Sequence, residues 1–323
     1  MSDTTDLNNE QEGGEPTTRA GFVALVGQPN VGKSTLMNAV LGIKLAITSS
    51  KPQTTRTRIL GVHTVSGKGQ LCFVDTPGIH RSKRRLNQAM TKTALQSLQE
   101  VDIVCHLVDA AAIVAQLRRD ASAYLPEDEE YVLEQLATVE VPRILVINKI
   151  DLLADKLQIL PLIEKLTARG TYDEIVPLSA AKGSNIDRFV DVLLASVPAA
   201  DPLFPEDMIT DRAERFLAAE MIREQIMLLT RKEVPYSVAV EIERFVEVPK
   251  KDLLEISAVI HVERETQKGI LIGEGGKRLK EIGTKARRQM EDFFGRRVFL
   301  ETFVHVEPDW TENPRHLHRF GYE

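Results

Sequence analysis

Between residues 27 and 34 the chain reads Gly-Gln-Pro-Asn-Val-Gly-Lys-Ser, and this stretch restricts the fold more than any other. Its two glycines let the backbone turn back on itself. The apolar run Phe22–Val26 precedes it as a buried strand, and a helix opens directly after it. Strand, glycine-rich turn and helix in that order begin a parallel sheet covered on both faces. The amide N–H groups of such a turn and the positive end of the helix converge on phosphate oxygens. Gly27, Gln28, Pro29, Asn30, Val31, Gly32, Lys33, Ser34 and Thr35 are therefore expected around a nucleoside triphosphate. Lys33 would reach the β- and γ-phosphates and the Ser34 hydroxyl would ligand Mg²⁺.

The remaining pattern to about Val197 agrees with that start. Apolar runs Leu71–Val74, Ile103–Val108, Arg143–Ile147 and Ile175–Leu178 alternate with helix-compatible stretches, the grammar of βα units. We expect an α/β phosphate-loop domain over residues 21–197, with a mixed, mostly parallel sheet and helices on both faces. Pro198, Pro202 and Pro205 then interrupt it, so residues 198–210 read as a linker. Asp211-Arg-Ala-Glu214 has the form of a capping box opening a helix to about Leu229. Strand-like runs Tyr236–Val246 and Leu253–Val262, a helix from Lys277 to Phe293 and a strand Val298–Val306 follow. They predict a smaller α+β domain over residues 211–307, with residues 308–323 as a C-terminal extension anchored by Trp310.

Three further motifs select the nucleotide. Asp75, Thr76, Pro77, Gly78 and Ile79 end the strand Leu71–Val74, where a carboxylate can act on Mg²⁺ and the Gly78 N–H on the γ-phosphate. Asn148, Lys149, Ile150 and Asp151 end another strand. The Asp151 carboxylate can accept from guanine N1–H and its exocyclic amine, a donor pair that adenine lacks. Ser179, Ala180 and Ala181 follow the strand Ile175–Leu178 and would face the guanine O6. Gln53-Thr-Thr-Arg-Thr57 is placed as a switch loop that closes a threonine on Mg²⁺; Thr55 is favoured, with Thr54 as the alternative. The metal set is then Ser34, Thr55 and Asp75, and the catalytic set Lys33, Thr55, Asn30 and Gly78.

Together these segments look like the signature motifs of a translation-factor-class GTPase. Ile79 stands where Ras-like enzymes carry a water-positioning glutamine, so hydrolysis is expected to be slow or to use another device. Asn30 resembles the asparagine of potassium-activated relatives, which makes K⁺ a candidate second cation.

Charge looks at first to exclude nucleic acid, because Lys plus Arg total 41 against 47 acids, a net of −6. The average misleads. Asp3, Asp6, Glu10, Glu12 and Glu15 against Arg19 put a surplus of four acids in residues 1–20, which read as a disordered acidic tail. From Lys268 to Arg297 nine bases oppose four acids, around Gly273-Glu-Gly-Gly276. A G-x-x-G before a helix resembles the loop with which KH modules approach single-stranded RNA. Gly273, Glu274, Gly275, Gly276, Lys277, Arg278 and Lys280 are the expected contacts, resting on backbone, Lys277 and Arg278 because Glu274 repels phosphate. Cys72 and Cys105 lie in apolar strands and suit a reducing compartment. Neither a signal peptide nor a membrane-spanning run is apparent.

The loop Gly27–Ser34, the switch Pro52-Gln-Thr-Thr-Arg56 and Asp75-Thr-Pro-Gly-Ile-His80 resemble the Era family of bacterial GTPases. So do Asp211 to Glu220, Pro235 to Glu243 and the closing Gly-Tyr-Glu. The resemblance implies GTP hydrolysis coupled to single-stranded RNA near the 3′ end of 16S rRNA, in assembly of the 30S subunit. It also implies a cytoplasmic protein, partly at the membrane periphery; nothing in the sequence calls for an obligate oligomer. Residues 112–130 depart from the family pattern, being Ala-rich and charged where a shorter Gly/Trp-containing loop is expected.

Overall fold

The structure is a computed structural model, and it describes residues 18–119 and 125–322. The expected tail lies outside the described residues up to position 17, as do residues 120–124 within the stretch 112–130. At the end of the tail the structure corrects the reading, because the first strand, β1, runs Arg19–Val26 and so takes in Arg19 and Ala20.

Six strands form the first sheet. After β1 come α1 (Lys33–Leu41), β2 (Ile59–Val65), β3 (Gly69–Asp75), α2 (Arg85–Gln96) and β4 (Ile103–Asp109). The chain continues through α3 (Ala110–Arg119), α4 (Glu127–Leu136), β5 (Arg143–Asn148), α5 (Ile159–Thr167), β6 (Glu174–Pro177) and α6 (Ile186–Ser196). The strand order is β2-β3-β1-β4-β5-β6, with every pair parallel except β2 on β3. Along β1, Val23 and Leu25 enter the core against α1 and α6, while Ala24 and Val26 enter the one against α2 and α4. This two-sided burial explains why the inner strands read as unbroken apolar runs. Cys72 and Cys105 are fully buried free thiols, their acidity suppressed by burial, Cys72 to about 12.

The stretch 198–210 contains neither helix nor strand, yet it is fastened to the sheet edge. Leu203 and Phe204 N–H groups both donate to Gln70 Oε1 at 2.9 Å, and Val62 N–H donates to the Ile209 carbonyl at 2.8 Å.

The second domain comprises α7 (Glu214–Leu229), β7 (Val238–Val248), β8 (Leu253–Val262), α8 (Glu265–Ile272), α9 (Lys277–Phe294), β9 (Arg297–Val306) and α10 (Pro314–Arg319). Its sheet runs β7-β8-β9, antiparallel then parallel, and α7 and α9 pack together beside it. Two sequence expectations fail here. The capping box at Asp211–Glu214 does not form: α7 begins at Glu214 behind Ala213 with no side-chain cap. Arg212 is engaged elsewhere, donating to the Arg58 carbonyl and lying over the Phe216 ring. Secondly, α8 occupies a stretch whose sequence shows only a glycine cluster; Gln267 Oε1 caps it, accepting from the Glu263 and Arg264 N–H groups at 2.9 and 3.2 Å. Trp310 is fully buried, and its indole N–H donates to the Ser237 carbonyl at 3.1 Å. Among the described residues no helix is long and apolar enough to cross a membrane.

Candidate functional site

The C-terminal ends of β1, β3, β4 and β5 converge on one cleft of about 300 Å³, lined by Pro29, Asn30, Gly32–Thr35, Thr54, Thr55, Thr76, Gly78 and Lys149 among others. Crevices at this end of a parallel sheet are where such folds bind ligands. The turn 27–32 is possible because Gly32 takes φ +105°, where a Cβ would sit 2.3 Å from Asn148 Nδ2. Gly78 is equally constrained, because a Cβ there would lie 2.5 Å from Pro29 N. The loop after β3 therefore touches the phosphate loop backbone to backbone.

Lys33 opens α1 and is buried. Its Nζ donates to the Gly27 and Gln28 carbonyls at 3.1 and 2.9 Å. Burial lowers its pKa to about 8, opposed by the charges of Asp75 and Glu129. Ser34 Oγ donates to Asp75 Oδ2 at 2.6 Å and lies 2.7 Å from Thr55 Oγ1, which is itself 3.1 Å from Asp75 Oδ2. Asp75 Oδ1 is buried with no hydrogen-bond partner, and burial raises this carboxyl's pKa against the pull of Ser34 and Lys33. Two hydroxyls and a carboxylate with an unused oxygen form a hard-oxygen set suited to Mg²⁺. Thr54 points elsewhere, to Ser49 Oγ and the Lys51 carbonyl.

At the other end of the cleft, Lys149 (φ +64°) donates to the Asn30 carbonyl and to Asp109 Oδ2, both at 2.6 Å. Asn148 ties the phosphate loop to the last strand, donating to the Val31 carbonyl and accepting from Ala180 N–H at 3.0 Å. Asp151 accepts from Ser179 Oγ at 2.6 Å and is otherwise exposed, as is Ala181. Thr76 donates to the Leu25 carbonyl and braces the turn. Val31, Ile79 and Ile150 put their side chains into the cores. Ile79 contributes only its N–H, which donates to the Gly27 carbonyl at 3.1 Å. Sequence reasoning missed Asp109, Glu129 and His106; Asp109 at the C-terminal end of β4 was the one signal available.

The second domain presents Gly273–Gly276 between α8 and α9, with Gly275 at φ +58° and Gly276 at φ +76°. Beside it a groove of about 360 Å³ is lined by Gly276, Leu279, Lys280, Gly283, Thr284, Arg287, Leu300 and Thr302. Lys277 and Lys280 are exposed at the start of α9. Arg278 is used differently from the expectation: its guanidinium donates to the Ile270 carbonyl at 2.7 Å and closes the end of α8. Lys285 and Arg287 pair with Glu281 and Glu291, and Arg296 with Glu214 and Glu247, which leaves Lys268, Lys277, Lys280, Arg288 and Arg297 without ion pairs among the described residues.

The two domains meet at the switch loop. Arg223 of α7 donates to the Thr54 carbonyl, and Arg56 donates to the Val238 and Pro235 carbonyls at 2.6 and 3.0 Å. Glu224, fully buried, accepts from Lys44 Nζ at 2.7 Å and from Thr48 N–H at 2.8 Å.

A phosphate-loop domain with a guanine-type base pocket, joined to a G-x-x-G module, defines a GTPase with a nucleic-acid-binding domain. Comparison with known proteins agrees. The 50S ribosome-binding GTPase family matches residues 22–149 and the KH domain family matches residues 233–311. The chain is 50% identical over 309 residues to GTPase Era of Geotalea uraniireducens, covering 96% of this chain and 99% of that protein. It is 48% identical over 306 residues to GTPase Era of Xanthomonas oryzae pv. oryzae, covering 94% and 97%. Among solved structures, a single-residue variant of Aquifex aeolicus Era bound to GDP·AlF4⁻ aligns with TM-score 0.88 and 44% identity, covering 94% of this chain and 99% of that one. Era in complex with MgGDPNP and nucleotides 1506–1542 of 16S ribosomal RNA aligns equally well, with the same TM-score of 0.88 and 44% identity. The chain belongs to the Era family, and it is a GTP-hydrolysing enzyme.

Proposed function

We propose that guanine nucleotide, bound with Mg²⁺ in the first domain, sets the affinity of the second for single-stranded RNA near the 3′ end of 16S rRNA, and that the enzyme so acts in assembly of the 30S subunit. We place it in the cytoplasm, with any membrane contact peripheral. One observation carries the reading. Thr55, in hydroxyl contact with Ser34 and Asp75, lies between Thr54 and Arg56, both of which are held by the second domain. A change at the γ-phosphate that draws or releases Thr55 must therefore pull on α7 and β7. The solved Era complex with MgGDPNP and 16S rRNA nucleotides 1506–1542 supports the same pairing of ligands.

In this reading Lys33 leaves the Gly27 and Gln28 carbonyls for the phosphates, and Asp151 with the Ser179–Ala181 turn selects guanine. Ser34, Thr55 and Asp75 hold Mg²⁺, which neutralises charge on the transferred phosphoryl group. The Gly78 N–H faces the γ-phosphate. Ile79, buried in the core, orients no water, so basal hydrolysis is slow. We assign the missing positive charge to K⁺ near Asn30, whose Nδ2 already donates to the Ser50 carbonyl of the switch segment at 3.0 Å. The Lys277 and Lys280 ammoniums and the glycine-loop backbone take the RNA phosphates.

Single-turnover GTP hydrolysis, measured with and without purified small subunits, tests the proposal. A gated factor is accelerated by the subunits. A rate indifferent to them would leave a GTPase without the proposed gate.

A further inference from the structure

Glu129 is a buried carboxylate in the first turn of α4, within the segment that departs from the family pattern. It is one of four successive acids there. Glu127 and Asp128 are exposed and Glu130 pairs with Arg169, but Glu129 is only 1% exposed. Burying a carboxylate is costly unless its charge and lone pairs are answered; here one oxygen accepts a hydrogen bond and the other is set against an imidazole.

Its two oxygens serve different partners. Oε1 lies 2.7 Å from His106 Nε2 on β4, and Oε2 accepts from Gln28 Nε2 at 2.6 Å. His106 is fully buried; its Nδ1 is 2.7 Å from the Tyr172 hydroxyl, and the two rings stack at 5.9 Å and 18°. The Tyr172 hydroxyl is hydrogen-bonded to Nδ1 and the carboxylate accepts from the Gln28 amide, while Nε2 and Oε1 face each other at 2.7 Å without hydrogen-bond alignment. Lys33 lies near enough for the carboxylate charge to act on it.

Gln28 is the second residue of the phosphate loop, and it is gripped from the other side as well. Its carbonyl accepts from Lys33 Nζ at 2.9 Å, and Pro29 after it is seated against Gly78. We propose that Glu129 is a positioning residue for the nucleotide site. Glu129, packed against the His106–Tyr172 pair, fixes Gln28, and with it residues 27–29, in the turn that receives the phosphates. A cluster that merely held α4 to the sheet would have no need of the loop amide.

The inference rests on reading residues 27–34 as the phosphate loop. The test therefore measures release of a fluorescent GDP from the full chain, with the nucleotide-free thermal midpoint recorded alongside. Gln28→Ala breaks the link and is expected to speed GDP release about tenfold, the loss of one charge-assisted hydrogen bond, and to lower the midpoint as well because the buried Glu129 Oε2 loses its donor. Gln28→Glu sets two carboxylates against each other and should release GDP at least as fast. The exchange Gln28→Glu/Glu129→Gln restores a carboxylate–amide pair in reverse order and should return release to within about threefold of the parent. Release unchanged in Gln28→Ala, or a double variant no better than Gln28→Glu, would overturn the proposal. If Gln28→Glu does not fold, Gln28→Ala decides alone. A parent chain that binds no guanine nucleotide would overturn the phosphate-loop reading too.

Discussion

Arg56 donates to the carbonyl of Val238, the first residue of β7, at 2.6 Å, although 182 residues separate them in sequence. The contact is buried, and it begins one residue beyond Thr55, whose hydroxyl meets the Mg²⁺-type oxygen set. The Arg223 contact to the Thr54 carbonyl grips the same short segment from α7. The phosphate-loop domain and the KH domain therefore share a few residues of backbone at the switch loop.

Removing those grips should separate the two activities. Arg223→Ala, which leaves the oxygen set and both binding surfaces intact, is expected to bring the ratio of RNA affinities in the GTP-analogue and GDP forms toward one. Coupling of this kind is commonly worth about 1–3 kcal/mol, or about 5- to 150-fold. RNA binding by fluorescence anisotropy in both nucleotide states provides the check. A ratio equal to the parent's would show that the arginine carries no coupling.

Base choice should reside in one carboxylate. Asp151→Asn is expected to weaken guanine nucleotide binding by about 1.5–3 kcal/mol, the range for a hydrogen bond to a charged group, and to favour xanthosine nucleotides. Competition binding with GDP and XDP measures this directly. The Ser179 hydroxyl that donates to Asp151 makes Ser179→Ala a weaker variant of the same kind.

Lys33 imposes a pH dependence. In the nucleotide-free protein burial holds its pKa at about 8 against an ordinary 10.5. Between those values the unfolded chain keeps a proton that the folded chain has lost, so the Lys33 contribution to stability grows as pH rises through this window. Phosphate binding requires the charged amine, so GDP affinity should fall as pH rises through about 8, by at most about tenfold per unit. Calorimetry near pH 8.5 in buffers of different ionisation enthalpy should reveal proton uptake on GDP binding.

The basic residues around the glycine loop should behave unequally. Lys277→Ala and Lys280→Ala are each expected to lower RNA affinity and to reduce the salt slope by about one. Arg278→Ala should leave that slope nearly unchanged and instead lower stability, because its guanidinium closes α8 on the Ile270 carbonyl. RNA titrations across salt concentrations separate the two effects.

The contrast between what the sequence revealed and what it hid has a physical cause. Residues 27–34, 75–79, 148–151 and 179–181 are contiguous segments that each follow a strand, so where they lie in the fold was legible from local pattern. Glu129, His106 and Tyr172 were not, because their partners lie 101 residues away at Gln28 and 66 residues apart from each other. Only the sheet order brings them together. Among the elements, Ile59–Val65 escaped notice as a strand because its antiparallel pairing follows a polar switch loop rather than a helix. Glu265–Ile272 escaped because Gly269 and the terminal Gly273 disguise a helix capped by the Gln267 side chain. The Asp211 capping box illustrates the opposite error, a local motif overridden by the tertiary engagement of Arg212.

The central claim is that nucleotide state governs contact with one RNA region. Crosslinking of the full-length enzyme to ribosomal RNA, in GTP-analogue and GDP forms with the crosslinked positions mapped, addresses it most directly. The account predicts crosslinks from the Gly273–Lys280 region to the 3′ end of 16S rRNA that change strongly between the two forms. Crosslinks elsewhere on the RNA, or the same crosslinks in both forms, would contradict it.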